Sequence, residues 1–80
     1  MEKHYVDVNS VNFVIGNNIK RIREATIIDG RKMTIEKLAE KADVSISSVK
    51  RAEKGENIYV TTFLAIARAL EVTLDELLSD

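Results

Sequence analysis

Cysteine and proline are both absent from this chain, and glycine occurs only three times, at 16, 30 and 55. Without thiols there is no disulfide framework and no thiolate metal site, the usual supports of small folds. Without proline, and with so few glycines, little interrupts a helix, and the abundance of Ala, Leu, Ile, Glu and Lys favours an all-α chain. Long apolar runs are absent too. The longest, Phe63 to Ala67, falls far short of the roughly 18 residues of a membrane span. The opening MEKHYVDVNS has no apolar h-region, so no signal peptide is expected and a soluble, cytoplasmic setting is. The single histidine, His4, lies in the terminal tail and reads as solvated; no metal and no cofactor is expected.

Eighty residues make one small domain. Such a chain buries only about 60% of its unfolded surface, so its stability must come from helix packing, aided by dimerisation. Converging catalytic groups are missing: there are no paired carboxylates at a spacing that suggests a cleft and no phosphate loop, so an enzyme is not expected.

The net charge is −1, but its distribution is uneven. Residues 1–30 are neutral, residues 31–54 carry seven basic and four acidic groups, and residues 55–80 carry one basic and five acidic. Positive charge thus gathers in the middle third and negative charge at the C-terminal end. A chance asymmetry of an ordinary solvated surface is the competing explanation.

From about Ser10 a stripe of Val11, Val14, Ile15, Ile19, Ile22 and Ile27 recurs at helical spacing, with Asn9 or Ser10 as a cap. Because Gly16 weakens it, this first helix could instead start near Ile15; it should end near Ile28, before the turn signal Asp29-Gly30. Thr34 is a good N-cap for a second helix, with Glu36 in its first turn and Leu38, Ala39 and Ala42 inward. Asp43 occupies a turn, and Ser45 caps a third helix that shows Val49 and Ala52 inward and ends at Gly55. Val60, Phe63, Leu64, Ala67 and Leu70 define a fourth helix, capped by Tyr59 or Thr61. Thr73 and Glu76 form a capping box that opens a short fifth, with Leu77 and Leu78.

Two short helices joined by a tight turn, with small Ala39 at their crossing, are what a helix-turn-helix needs if its second helix is to lie in the major groove. The segments IGNNIKRIRE (15–24), TIEKLAEKADVSISSVKRAEKG (34–55) and TTFLAIARALEVTLDELL (61–78) together resemble the Cro/C1-type (XRE-family) helix-turn-helix domain, in the family's order. The resemblance implies a five-helix, lambda-repressor-like bundle over residues 15–80, with helices two and three as the motif. It also implies sequence-specific binding to double-stranded DNA, usually as a homodimer, and a role as a transcriptional regulator of phage, mobile-element or operon type, most often a repressor, in a prokaryotic or phage-derived setting. Residues 1–14 form an N-terminal extension, apolar at Tyr5, Val6, Val8, Val11 and Phe13, that could lengthen helix one, pack across the core or act as a dimer arm. Leu74, Leu77 and Leu78 are a second possible dimer surface, although core is the better reading for at least two of them.

In such a motif the start of helix three faces base edges, here Ser45, Ile46, Ser47 and Ser48. Arg51 can contact guanine O6 and N7 bidentately; Ser47 bonds to several bases; Ile46 offers only apolar contact, to a thymine methyl or to a neighbouring side chain. Lys50 and Lys54 suit phosphates, or simply solvent. Thr34 and the amides opening helix two suit an anion, and Asn57 and Tyr59 match family positions that often touch the backbone. Arg23 and Glu53 match positions where an arginine of helix one meets a glutamate of helix three, a structural pair. The chain departs from the family at Ile35, where Gln is common after the cap, and at Asp43, where Gly is common. It departs again in the longer link ATIIDGRKM, whose Arg31 and Lys32 could reach the DNA backbone. Ile35 and Ile46 on the reading face, with the low net charge, keep a second function open: a protein-interaction module of the same fold, such as an antitoxin or antirepressor partner.

Overall fold

The computed structural model describes residues 8–79. Its first helix, α1, runs without interruption over Val8–Ala25. Asn9 and Ser10 therefore lie inside a helix rather than at its cap, and residues 8–14 continue it. The expectations for His4, Tyr5 and Val6 lie outside the described residues. Ile19 is fully buried, while Val11, Val14, Ile15 and Ile22 are half-buried beside it.

The first helix ends three residues sooner than the apolar spacing suggests. Ile27–Ile28 and Arg31–Lys32 instead form a two-stranded antiparallel hairpin, β1 and β2. Asp29 (φ 53°) and Gly30 (φ 78°) both take positive φ between them, the backbone that Asp-Gly supplies in a tight hairpin turn. Ile28 packs against the core, but Ile27 is exposed: it belongs to a strand that alternates sides, not to the helical stripe. The amide of Met33 donates to the Thr26 carbonyl at 2.9 Å, closing the loop and burying Met33.

α2 (Ile35–Ala42) and α3 (Ile46–Glu53) follow. Thr34 caps α2 by accepting from the Lys37 amide, and Ser45 caps α3 by accepting from the Ser48 amide. Between them Asp43 adopts φ 58°, ψ 45°, and the amides of Asp43 and Val44 donate back to Glu40 and Ala39. These two reversed bonds satisfy carbonyls that the end of α2 would leave open. α4 (Val60–Leu70) and α5 (Leu74–Leu78) complete the bundle, and Thr73 and Glu76 form the reciprocal capping box of α5. Tyr59 is the N-cap residue of α4 but makes no side-chain capping bond.

The core gathers Ile19, Met33, Leu38, Ala39, Val49, Ala52, Ile66, Ala67, Leu70 and Leu77. α1 packs on α3 and α5, and α2 on α3 and α4. In α4 the inward face is rotated from the expected one: Ile66 and Ala69 are buried, while Val60 and Leu64 point to solvent. Only Leu77 of the three C-terminal leucines is core; Leu74 and Leu78 are exposed. A helix as short as α5 buries one turn's worth of one face, and α1 claims that turn. Asn18, itself buried, donates to the carbonyls of Leu77 (2.9 Å) and Ser79 (2.6 Å), fastening the end of α5 to α1.

α1 and α3 meet at Gly16. A Cβ there would sit 2.5 Å from the carbonyl oxygen of Ala52 and 2.9 Å from that of Glu53, so only glycine permits this approach. Among the described residues no buried side-chain nitrogen or oxygen lacks a hydrogen-bond partner, and no helix is long and apolar enough to cross a membrane.

Candidate nucleic-acid interface

The orientation of α3 follows from one clamp. The Arg23 side chain from α1 meets Glu53 on α3 through two bonds, Nε to Oε2 at 2.6 Å and Nη2 to Oε1 at 3.1 Å. Its Nη1 donates to the Met33 carbonyl at 2.9 Å. Both charged side chains are largely buried, with 9% and 7% of their area exposed. The hydrogen bond to Glu53 raises the Arg23 pKa against the opposing effect of burial. A raised cation keeps its stabilising contribution below its unfolded pKa and loses it only as pH climbs through the folded value, so the clamp holds until strongly alkaline conditions. Desolvation offsets much of the attraction, so the clamp serves geometry more than net stability. It joins α1, the hairpin exit and α3 at one point.

With its inner side fixed by Val49, Ala52 and Glu53, α3 turns its remaining residues outward. Ser45, Ile46, Ser47, Lys50, Arg51 and Lys54 are exposed and Ser48 is half-buried. The Ser45 and Ser48 hydroxyls lie 2.8 Å apart and share a hydrogen bond. Ile46 is 42% exposed. Ile35, by contrast, is half-buried against the core and is not a free apolar group on this face.

Three surface concavities, two lined in part by α3 and one between the hairpin and the start of α2, divide the candidate residues. An open cleft of about 390 Å³ brings Ser48 and Arg51 together with Asn57, Ile58, Tyr59 and Thr62. Here Arg51 pairs with Glu56 (Nε to Oε1, 3.4 Å) and donates from Nη2 to the Asn57 carbonyl at 3.3 Å. A second concavity joins Thr34 and Lys37 to Arg31 and Lys32 of β2. Lys37 also bonds to Glu40 at 3.0 Å, which raises its pKa. The third gathers Lys20, Lys50 and Lys54 around Ile35, beside a Glu53 whose charge is already met by Arg23. Phosphate oxygens suit such basic hollows, and base edges suit the hydroxyl and guanidinium groups between them.

Lys20, Lys37 and Thr62 were not legible as site residues in the sequence. Lys20 lies three residues before Arg23 and therefore on the same side of α1, which is the one signal that could have marked it. Lys37 stands in the first turn of α2, near the cap. Thr62 had no local signal: only the packing of α4 under the loop before it brings it to the cleft.

A short helix, a left-handed turn and a second helix that shows its hydroxyl and basic side chains to solvent define a DNA-binding helix-turn-helix protein. Residues 19–77, about three-quarters of the chain, match the model of a protein family described as helix-turn-helix, and the chain belongs to that family. The fold is that of its Cro/C1-type members, and the function is that of a DNA-binding transcriptional regulator. Among the described residues no group of three or more His, Cys, Asp or Glu side chains is placed to hold a metal ion. No curated protein and no solved structure matches the chain.

Proposed function

We propose that this chain is a repressor that binds a two-fold symmetric operator in duplex DNA as a homodimer, in the cytoplasm of a prokaryotic cell or as a phage-derived gene product. In this reading Ser45, Ile46, Ser47 and Arg51 meet base edges from the major groove. Lys50, Lys54, Thr34 and the loop residues Asn57 and Tyr59 meet phosphates; Ile35 supports the start of α2 from below rather than touching DNA. The reading is carried by one observation above the rest: the hydroxyl and basic residues of α3 stand outward while Arg23 and Glu53 hold its inner side.

The alternative, a protein-interaction module, drew on Ile35 and Ile46 as a shared apolar surface. Ile35 is half-buried against the core, which leaves Ile46 as the more exposed of the two, and scattered exposed apolar side chains need no partner to explain them.

Selection of bound duplexes from a random pool tests the proposal. A palindromic consensus is expected, with half-sites one or more helical turns apart, about 34 Å for one turn. Binding should weaken steeply with salt, and replacing Lys50 and Lys54 by Gln should each lower the salt slope by about 1. Failure to bind any duplex at about 50 mM salt would sink the DNA-reading proposal in favour of a protein partner.

A further inference from the structure

We propose, resting on the DNA-binding reading above, that Glu56 is a positioning residue that holds Arg51 so that its outer fork reads a guanine. The end of α3 supplies the means. Lys54 ends the helix, Gly55 takes φ 81°, the Gly55 amide donates to the Ala52 carbonyl and the Glu56 amide to the Arg51 carbonyl. This closing motif brings the side chain two places beyond the cap back against the third-last residue of the helix, a contact usually filled by two apolar groups. Here the two positions hold Glu56 and Arg51, with 51% and 59% of their side-chain area exposed. An ion pair so exposed contributes little stability, so stability does not account for it.

The geometry of the guanidinium does. Nε and Nη2 form one edge of its plane, and that edge faces Glu56 Oε1 and the Asn57 carbonyl. On the second edge, shared by Nη1 and Nη2, Nη1 meets no partner among the described residues, and that edge has the fork shape that guanine O6 and N7 accept. The loop beneath is itself held. Asn12 on α1 donates from Nδ2 to Asn57 Oδ1 at 2.6 Å, and a Cβ on Gly55 would stand 3.2 Å from the Phe13 Cα. The N-terminal part of α1 thus fixes the loop, the loop holds one edge of Arg51, and the other edge is left for DNA. A long side chain ordered in advance loses less freedom on binding.

The test uses the full chain and a duplex selected by it from a random pool, with each guanine in turn replaced by adenine (and its partner to match). In the wild type, one guanine should carry a penalty of roughly 5- to 150-fold on replacement. Arg51→Met should abolish that penalty. Glu56→Ala should cut it at least about three-fold, while affinity for an unrelated duplex rises because one carboxylate near the phosphates is gone. In the Arg51→Met background, Glu56→Ala should leave the guanine preference unchanged. A merely structural role would instead weaken binding to selected and unrelated duplexes alike and leave the guanine penalty as it was. A guanine penalty untouched by Glu56→Ala, or one that survives Arg51→Met, overturns the inference with the DNA-binding reading intact. Absence of binding to any duplex by the wild type removes that reading first.

Discussion

The two sides of α3 are built from the same eight residues and obey different rules. Toward α1 and α2, Val49 and Ala52 are buried, Glu53 is clamped by Arg23, and Gly16 lets the backbones touch. Toward solvent, Ile46, Ser47, Lys50 and Arg51 are exposed, and Arg51 meets Glu56 and the Asn57 carbonyl at the solvent edge rather than in the core. The contrast separates two demands on a reading helix. Its position must be unique, so a single change of size or charge on the inner side is costly unless its partner changes with it. Its outer side must be free to differ between relatives that read different sequences. The scaffold is therefore intolerant where it is silent about DNA and tolerant where it speaks.

The strongest way to break this contrast is from the inner side. Arg23→Ala leaves Glu53 buried and without its partner, and should cost about 3–5 kcal/mol in urea unfolding, a large share of the roughly 5–15 kcal/mol available to a domain. Replacing Arg23 and Glu53 together by Met and Leu should recover most of that loss. A clamp that is only a surface pair would show neither effect. Gly16→Ala comes next: its new methyl meets the backbone of α3, and overpacking of this kind should cost about 1–3 kcal/mol, with α1 and α3 forced apart and DNA affinity reduced along with stability. From the outer side, Arg51→Met should change unfolding by less than about 0.5 kcal/mol yet weaken specific DNA binding by about 1–3 kcal/mol. A matched loss of stability would erase the distinction between the two sides.

The smallest effect lies away from both. Glu71, after α4, adopts φ 59°, a conformation that costs a side-chain-bearing residue and suits glycine. Glu71→Gly should raise stability by about 0.5–1 kcal/mol in thermal melts without altering DNA binding. Asp43 has the same backbone at φ 58°, but Asp tolerates it better, so Asp43→Gly should gain less.

What the sequence by itself determined was everything settled within a few residues. Thr34, Ser45 and the Thr73–Glu76 box mark helix starts because a cap and its target amide lie three positions apart. Gly55 marks a helix end because glycine takes positive φ without steric cost, and Asp43 because Asp tolerates that backbone better than most residues. The element order and the helix-turn-helix follow from these signals and the apolar spacing between them. Tertiary structure decided the rest. Ile27 continues the helical spacing of α1 in sequence, yet a hairpin closed by Met33 and Thr26 carries it away. Leu64 and Leu78 are as apolar as Ile66 and Leu77, and only the position of α1 and α2 chose which pair is buried. Ile35 reads as exposed from its place after the cap, but packing against the core covers part of it. Arg51 found Glu56 because a helix end folded back upon itself. Local signals are energies between near neighbours in the chain; burial and pairing are energies between distant ones, and those exist only once the chain has closed upon itself.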